Sequence, residues 1–249
     1  MFVKEVQAAL LDGRADIAVH SAKDLPAQTP PGLCLACVPE REDPRDGLLG
    51  ASLEDLPVGA AVATGSVRRR AQLAWLRPDL TFVELRGNMA ARVAHAEAVG
   101  AGIVAVAGLQ RLGLGHRITQ ILEPSTMLPQ VAQGALALEC REDDDATRVW
   151  LAAIDNPGIH RAVRAERAFL DALGGGCTLP VGALATALSP DSSGPELVLE
   201  GLLATRDGHV VLRRRRQGSD PEALGRNVAG ELLDDCGGRF LGDWSGGAG

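Results

Sequence analysis

Apolar residues recur at Val3, Val6, Ala9 and Leu10, the spacing of an amphipathic helix that Gly13 ends, and Ile17-Ala-Val-His20 behind it reads as a short buried strand. A loop carries Ser21 to Pro31, and Leu33 to Val38 is a second strand. The charged, proline-containing stretch Glu40-Arg-Glu-Asp-Pro-Arg-Asp46 reads as a hinge or exposed connection. Strand and helix then alternate over Ala61 to Ala63, Val67 to Leu76, Thr81 to Leu85, Met89 to Val99 and Ile103 to Ala107. That alternation predicts a small α/β unit with parallel strands, continued by a helix over Leu109 to Leu122. Pro124 to Pro129 forms a second connection, and Ala135-Leu-Ala-Leu-Glu139 is a strand returning to the first unit.

Beyond the acidic Glu142-Asp-Asp-Asp145 the pattern predicts helices over Ala146 to Ala153 and His160 to Leu173, broken at Asn156-Pro157-Gly158. The last third changes character. Strands over Val181 to Leu188, Leu197 to Thr205 and His209 to Arg216 follow at hairpin spacing, then a helix over Pro221 to Leu233, which predicts an α+β module with an antiparallel sheet. The glycine-rich end after Asp243 reads as a frayed tail.

With 249 residues, 46% of them hydrophobic, the chain is long enough for one large domain or two to three small ones. No apolar run reaches membrane-spanning length and no signal-peptide order opens the chain, so a soluble, cytoplasmic protein is expected. Five scattered cysteines do not make a secreted disulfide framework. A net charge of −7 argues against general affinity for nucleic acid, so any anion site must be local.

Three features carry candidate chemistry. Gly174-Gly-Gly-Cys177-Thr178 holds a thiol on a loop cleared of side chains, as a thiol needs when something bulky must attach; a buried cysteine beside a flexible turn is the plain alternative. Arg68, Arg69 and Arg70 follow Thr64-Gly65-Ser66, and Arg86 and Arg92 flank Gly87-Asn88, both at strand-to-helix turns where free N–H groups and guanidinium forks suit carboxylates or phosphates. Taken singly, Arg70 or Arg92 is more simply part of a solvated helix face. His20-Ser-Ala-Lys-Asp-Leu-Pro26 brings polar groups out of a buried strand: Asp24 is placed to orient a substrate N–H or stabilise a cation, and Lys23 to hold an acid, unless they only cap a turn and meet solvent. The run Arg213 to Arg216 lies in a predicted exposed hairpin and reads as solubility. Cys34-Leu-Ala-Cys37 is a lone CxxC whose strand-like surroundings suggest two small core residues, and nothing points to a metal.

In order along the chain, Ala15-Asp-Ile-Ala-Val-His-Ser-Ala-Lys-Asp-Leu-Pro26, Glu40 to Asp46, Leu85-Arg-Gly-Asn88, Ala105-Val-Ala-Gly-Leu-Gln-Arg-Leu-Gly-Leu114, Gln133-Gly-Ala135 and Gly175-Gly-Cys177 resemble the porphobilinogen deaminase (hydroxymethylbilane synthase) family. The resemblance implies two periplasmic-binding-protein-like α/β domains facing a cleft: residues 1–43 with 138–156, and residues 44–137. A third, α+β domain over 157–249 carries the cysteine. It implies a dipyrromethane cofactor in thioether linkage to Cys177, Asp24 as catalytic carboxylate, and Arg68, Arg69, Arg86, Arg92 and Arg111 on acetate and propionate arms. Ser21, Lys23, Thr64, Ser66 and Gln133 are carried over as further cofactor contacts. Substrate and partner are then porphobilinogen and the growing polypyrrole, on a monomer.

Gly65, where the family usually has a hydroxyl residue, and Thr178-Leu179 are small departures. The family pattern also begins before Met1, by roughly 60 residues, about two βαβ-type units of chain. The expectation is a first sheet with exposed edges and a cleft lacking one wall, hence weak activity as given or a shortened gene model. The alternatives of another class are a non-catalytic small-anion binder and a degenerate family member. A version extended at its N-terminus should outperform the given chain in a direct activity comparison; equal activity refutes a role for the added segment.

Overall fold

The computed structural model describes residues 2–175, 179–188 and 196–241; Cys177, most of its glycine loop and the tail after Asp243 lie outside the described residues. The described residues form three sheets. Helix α1 (Phe2–Leu11) leads into strand β1 (Ala18–Ser21), which pairs antiparallel with β8 (Leu136–Arg141); β8 pairs antiparallel in turn with β2 (Leu33–Cys37). The expected return of the strand near Glu139 to the first unit is therefore observed.

The second sheet has the order β5-β4-β6-β3-β7, built from β3 (Asp46–Leu49), β4 (Ala61–Ala63), β5 (Thr81–Val83), β6 (Gly102–Ala105) and β7 (Ile118–Leu122). Strand β4 runs parallel to β5 and β6, as predicted, but β3 is antiparallel to both β6 and β7. Helices α2 (Val67–Leu76) and α3 (Met89–Val99) match their predicted spans, and Ser66 and Asn88 cap them through the backbone N–H groups of Arg69 and Ala91. Both faces of the sheet are covered: Leu48, Val62, Leu73 and Ile103 cluster on one side, and Leu49, Ala63, Val93, Val104 and Leu109 on the other.

Two expectations fail in this unit. The helix expected over Leu109 to Leu122 is instead a short α4 (Val106–Arg111) followed by β7. Gly113, at φ 68°, and Gly115 stop the helix, and the β-branched Ile118, Thr119 and Ile121 suit the edge of the sheet beside β3. The stretch Glu40 to Asp46, read as a hinge or exposed connection, is exposed only at Glu40 and Glu42. The Arg41 side chain is buried against Glu166, Arg45 pairs with Asp43, and Asp46 is wholly buried at the start of β3.

Helices α5 (Asp145–Ala152) and α6 (Pro157–Ala172) follow, with Asn156 capping α6 and Pro157 at its first position, so the predicted break is a helix start. The third sheet, β11-β10-β9, is antiparallel as expected, from β9 (Val181–Ala187), β10 (Leu197–Ala204) and β11 (Val211–Gly218); α7 (Pro221–Gly230) packs on it beside α6. A Cβ on Gly201 would stand 2.6 Å from the Phe169 ring, and one on Gly225 2.4 Å from Ala165 O, so these glycines let α6 lie against β10 and α7. The largest core cluster runs from Phe169, Leu199 and Val228 to Ala22, Leu25, Val38 and Ala137, joining the C-terminal unit to the first sheet. Arg213 is not merely a solubility residue: it pairs with Glu200 and donates to the carbonyls of Pro124 and Ser125, tying β11 to the second connection. Arg216 pairs with Glu231.

Glu166, fully buried on α6, binds all of these parts together. Its carboxylate accepts from the Arg41 guanidinium at 2.6 and 3.2 Å and from the backbone N–H of Ala132 and Ala185 at 2.6 and 2.9 Å. Removing it strands a buried cation and two buried N–H groups. Glu166→Ala is expected to cost about 3–5 kcal/mol, read as a lowered urea midpoint; a loss under about 1 kcal/mol, the size of an exposed pair, refutes this account.

Candidate functional site

Strand β1 ends at Ser21, and Ala22 to Asp24 form a single 3-10 turn. Ala22 and Leu25 are buried, and the Ala22 N–H donates to Ala135 O at 3.0 Å, so both ends of the turn are fixed from below. Lys23 is half-buried and Asp24 exposed, projecting from that fixed turn. Opposite stand the starts of α2 and α3 with their arginines. Together they enclose a cleft of about 510 Å³ lined by Lys23, Asp24, Ser66, Arg69, Arg86, Arg92, Glu84, Met89 and Gln130. Four cations face two carboxylates there, so the cleft is locally positive in an acidic chain.

Neighbouring arginines of one helix turn do different work. Arg68 points inward, giving one nitrogen to Asp46 at 2.7 Å and another to Leu128 O at 2.7 Å. Arg69 grips the same carboxylate at 2.8 and 3.0 Å but also reaches the cleft. Gln133 completes the cluster, donating to Asp46 at 2.9 Å and to Pro44 O at 2.7 Å. Burial alone would raise the Asp46 carboxyl, but Arg68 and Arg69 outweigh it and hold the group at about 2. Asp46 is therefore ionised and keeps Arg69 in place.

Arg86 is exposed and pairs with Glu84 at 2.9 Å, and Arg92 donates to Gly87 O at 2.9 Å. The cleft thus gathers six of the residues named from sequence: Lys23, Asp24, Ser66, Arg69, Arg86 and Arg92. Ser21 is exposed outside its lining, Thr64 is buried and accepts from Ser66 N–H at 3.2 Å, Arg68 and Gln133 serve the Asp46 cluster, and Arg111 donates to Gly134 O at 3.4 Å. Sequence reasoning missed Asp46, Glu84 and Gln130, which donates to Lys23 O at 3.2 Å. None of the three carries a local sequence signal: Asp46 stands at the head of a strand, β3, that shows no alternation.

A second space, of about 550 Å³, adjoins the cleft and is lined by Asp24, Leu25, Pro26, Asp171, Gly174 and Gly175. Asp24 borders both spaces, and in the sequence Gly174 and Gly175 precede Cys177, which lies outside the described residues. Gly65 has its own reason: a Cβ there would stand 2.7 Å from Leu85 O, so a side chain requires the two arginine-bearing turns to move apart.

Residues 1–149 match the family model described as porphobilinogen deaminase, dipyromethane cofactor binding domain, and residues 160–234 match the porphobilinogen deaminase C-terminal domain. The chain belongs to the porphobilinogen deaminase family. It is 47% identical over 247 residues to the porphobilinogen deaminase of Roseiflexus sp. (strain RS-1), covering 97% of this chain and 80% of that one. Against that of Thermus thermophilus it is 49% identical over 251 residues, covering 97% and 81%. The solved periplasmic sulfonate-binding protein SsuA from Methylobacillus flagellatus KT is 15% identical over 68% of this chain and 52% of that one, with a TM-score of 0.32, too low to inform the fold. No helix among the described residues is long and apolar enough to cross a membrane.

Lys23 shares the cleft with the Arg69 charge. Burial, then the Arg69 charge, lowers its ammonium to about 8, against partial support from Asp24 and Asp46. Between about pH 8 and the ordinary 10.5 the unfolded chain therefore binds more protons at Lys23 than the folded one, and stability rises with pH across that window. Lys23→Met is expected to flatten this rise in urea unfolding measured over the window; equal slopes for the two proteins refute it.

Proposed function

We propose that this chain is a porphobilinogen deaminase, joining four porphobilinogens head to tail with loss of ammonia to give 1-hydroxymethylbilane. The observation that carries the assignment to this cleft is the opposition of Asp24 and Lys23 to Arg69, Arg86 and Arg92 across one space. Each pyrrole brings two carboxylates on flexible arms and one N–H donor, and the site offers cations for the first and a carboxylate for the second.

The same donor set fits a dipyrromethane, which chemically resembles two substrate units. Cys177 would carry it by thioether, with Lys23, Ser66 and Arg69 holding its acid groups; Arg86, Arg92 and Arg111 serve the substrate, Thr64, Arg68 and Gln133 support the site from behind, and Ser21 is a further contact offered from the exposed end of β1. When bound, this group supplies the nucleophilic pyrrole carbon at which the chain is extended.

Arginine pairing with the acetate and propionate arms orients porphobilinogen and excludes water from its carboxylates. The carbon–nitrogen bond breaks with its electrons leaving on ammonia, and the resulting methylene-pyrrolenine cation has its N–H directed to the Asp24 carboxylate, which offsets the positive charge. Asp24 would also take the proton shed at the carbon where the new carbon–carbon bond forms. Because Asp24 borders both the cleft and the space beside the glycine loop, it serves a reacting centre between them.

We also propose the finer architecture: two periplasmic-binding-protein-like α/β domains, over 1–43 with 138–156 and over 44–137, and a third domain over 157–249, in a cytoplasmic monomer. The separate first and second sheets, each with its own core, support the first two; the antiparallel third sheet supports the last.

Intact mass of the purified chain is expected to exceed the sequence mass by two linked pyrrole units, and Cys177→Ser to remove the excess. Asp24→Asn is expected to keep the excess and lower kcat about 10²–10⁴-fold. A wild-type mass without the excess, or an Asp24→Asn protein of normal kcat, overturns the corresponding assignment.

A further inference from the structure

The CxxC of the sequence has no part in the cleft, yet its two thiols have unlike surroundings. Cys37 is fully buried and lies opposite Leu138, with burial and nearby Asp155 pushing its thiol up to about 11. Cys34 is half-buried and lies opposite Cys140, with the two sulfurs 3.7 Å apart across the antiparallel β2–β8 pair. We propose that Cys34 and Cys140 are a thiol modification site, in which exchange with a small disulfide of the glutathione class produces a cross-strand disulfide latching β2 to β8.

Directly opposed residues on antiparallel strands have Cα atoms about 4.5–5.5 Å apart, within the range of protein disulfides. Small side-chain rotations bring the sulfurs from van der Waals contact to bonding distance without moving either strand. Accessibility sets the order of events. Cys140 is fully buried, and burial together with the neighbouring Cys34 pushes its thiol up to about 12, so the half-buried Cys34 reacts first. Its thiolate attacks one sulfur of the small disulfide and expels one glutathione thiolate. The Cys140 thiolate then attacks Cys34 Sγ and expels the second. Two protein thiols are oxidised, one small disulfide is reduced to two thiols, and the protons lost from the protein thiols pass to the glutathione thiolates and solvent.

The cysteines are 106 positions apart, and the ring they close contains the whole five-stranded sheet with Arg69, Arg86 and Arg92. A ring of that size restricts the unfolded chain strongly, so the latch stabilises by shrinking the denatured ensemble rather than by adding native contacts. It joins the strand by which the chain leaves the first sheet to the strand by which it returns.

The test incubates the purified chain with oxidised glutathione, alkylates the remaining thiols and maps non-reduced peptides by mass spectrometry. A Cys34–Cys140 peptide pair is expected, with Tm raised on the order of 10 °C and both changes reversed by dithiothreitol. Cys140→Ala should stop at a glutathione adduct on Cys34, and Cys34→Ala should form neither adduct nor link there. Full alkylation of Cys34 and Cys140 in the wild-type chain after prolonged incubation, or linkage of Cys34 to another cysteine, overturns the proposal without recourse to the variants. A Cys34–Cys140 link that leaves Tm unchanged overturns its role as a latch.

Discussion

A single buried carboxylate organises the face on which the chemistry is proposed. Asp46 accepts from Arg68, Arg69 and Gln133, drawing the start of β3, the first turn of α2 and the returning segment to one point. Alone, each of these charged groups would be too costly to bury; together one carboxylate offsets the two guanidiniums in part, and their hydrogen-bonding groups are largely satisfied. The geometry of the cleft follows from that cluster. Arg69 is rigid because all three of its guanidinium nitrogens are engaged, Nε and Nη2 by Asp46 and Nη1 by the Ile103 carbonyl, so it presents its charge to the cleft from a fixed position.

Glu166 plays a similar part at the other end of the chain's two crossings, where Arg41, Ala132 and Ala185 converge. The two clusters differ in what they hold. Asp46 orders a binding surface, whereas Glu166 joins the C-terminal unit to the segments that run between the first and second sheets. The glycines at 201 and 225 belong to the second arrangement, since they let α6, which carries Glu166, pack closely against β10 and α7.

Much of this was legible before any coordinates. Helix α2 and helix α3 carry good N-caps and clear apolar spacing, and their predicted ends coincide with the observed ones. The arginine turns and the Lys23-Asp24 pair were also legible, because local sequence alone places charged groups at a strand end or helix start. Strand β3 was not: Asp-Gly-Leu-Leu is too short for periodicity and is buried on both faces, so it shows no alternation. Nor could sequence separate Arg68 from Arg69. Both bind a carboxylate 22 and 23 positions away, in a stretch whose charge density suggested solvent, and the carbonyl that draws Arg68 inward, Leu128 O, is 60 positions away. The cross-strand pairing of Cys34 with Cys140 was hidden for the same reason, since register between distant strands is set by the fold rather than by either segment.

Lys23 gives the cleft a thermodynamic character beyond its shape. A cation held at about 8 mainly by burial, and next by a neighbouring guanidinium, means that the folded chain carries like-charge repulsion only partly relieved by Asp24 and Asp46 where an acid is proposed to bind. An incoming polycarboxylate removes that repulsion as it docks, so recognition and consolidation of the native state are one event. The protein without its acidic guest is, in this sense, an electrostatically unfinished fold, and the guest supplies the counter-charges that the sequence withholds.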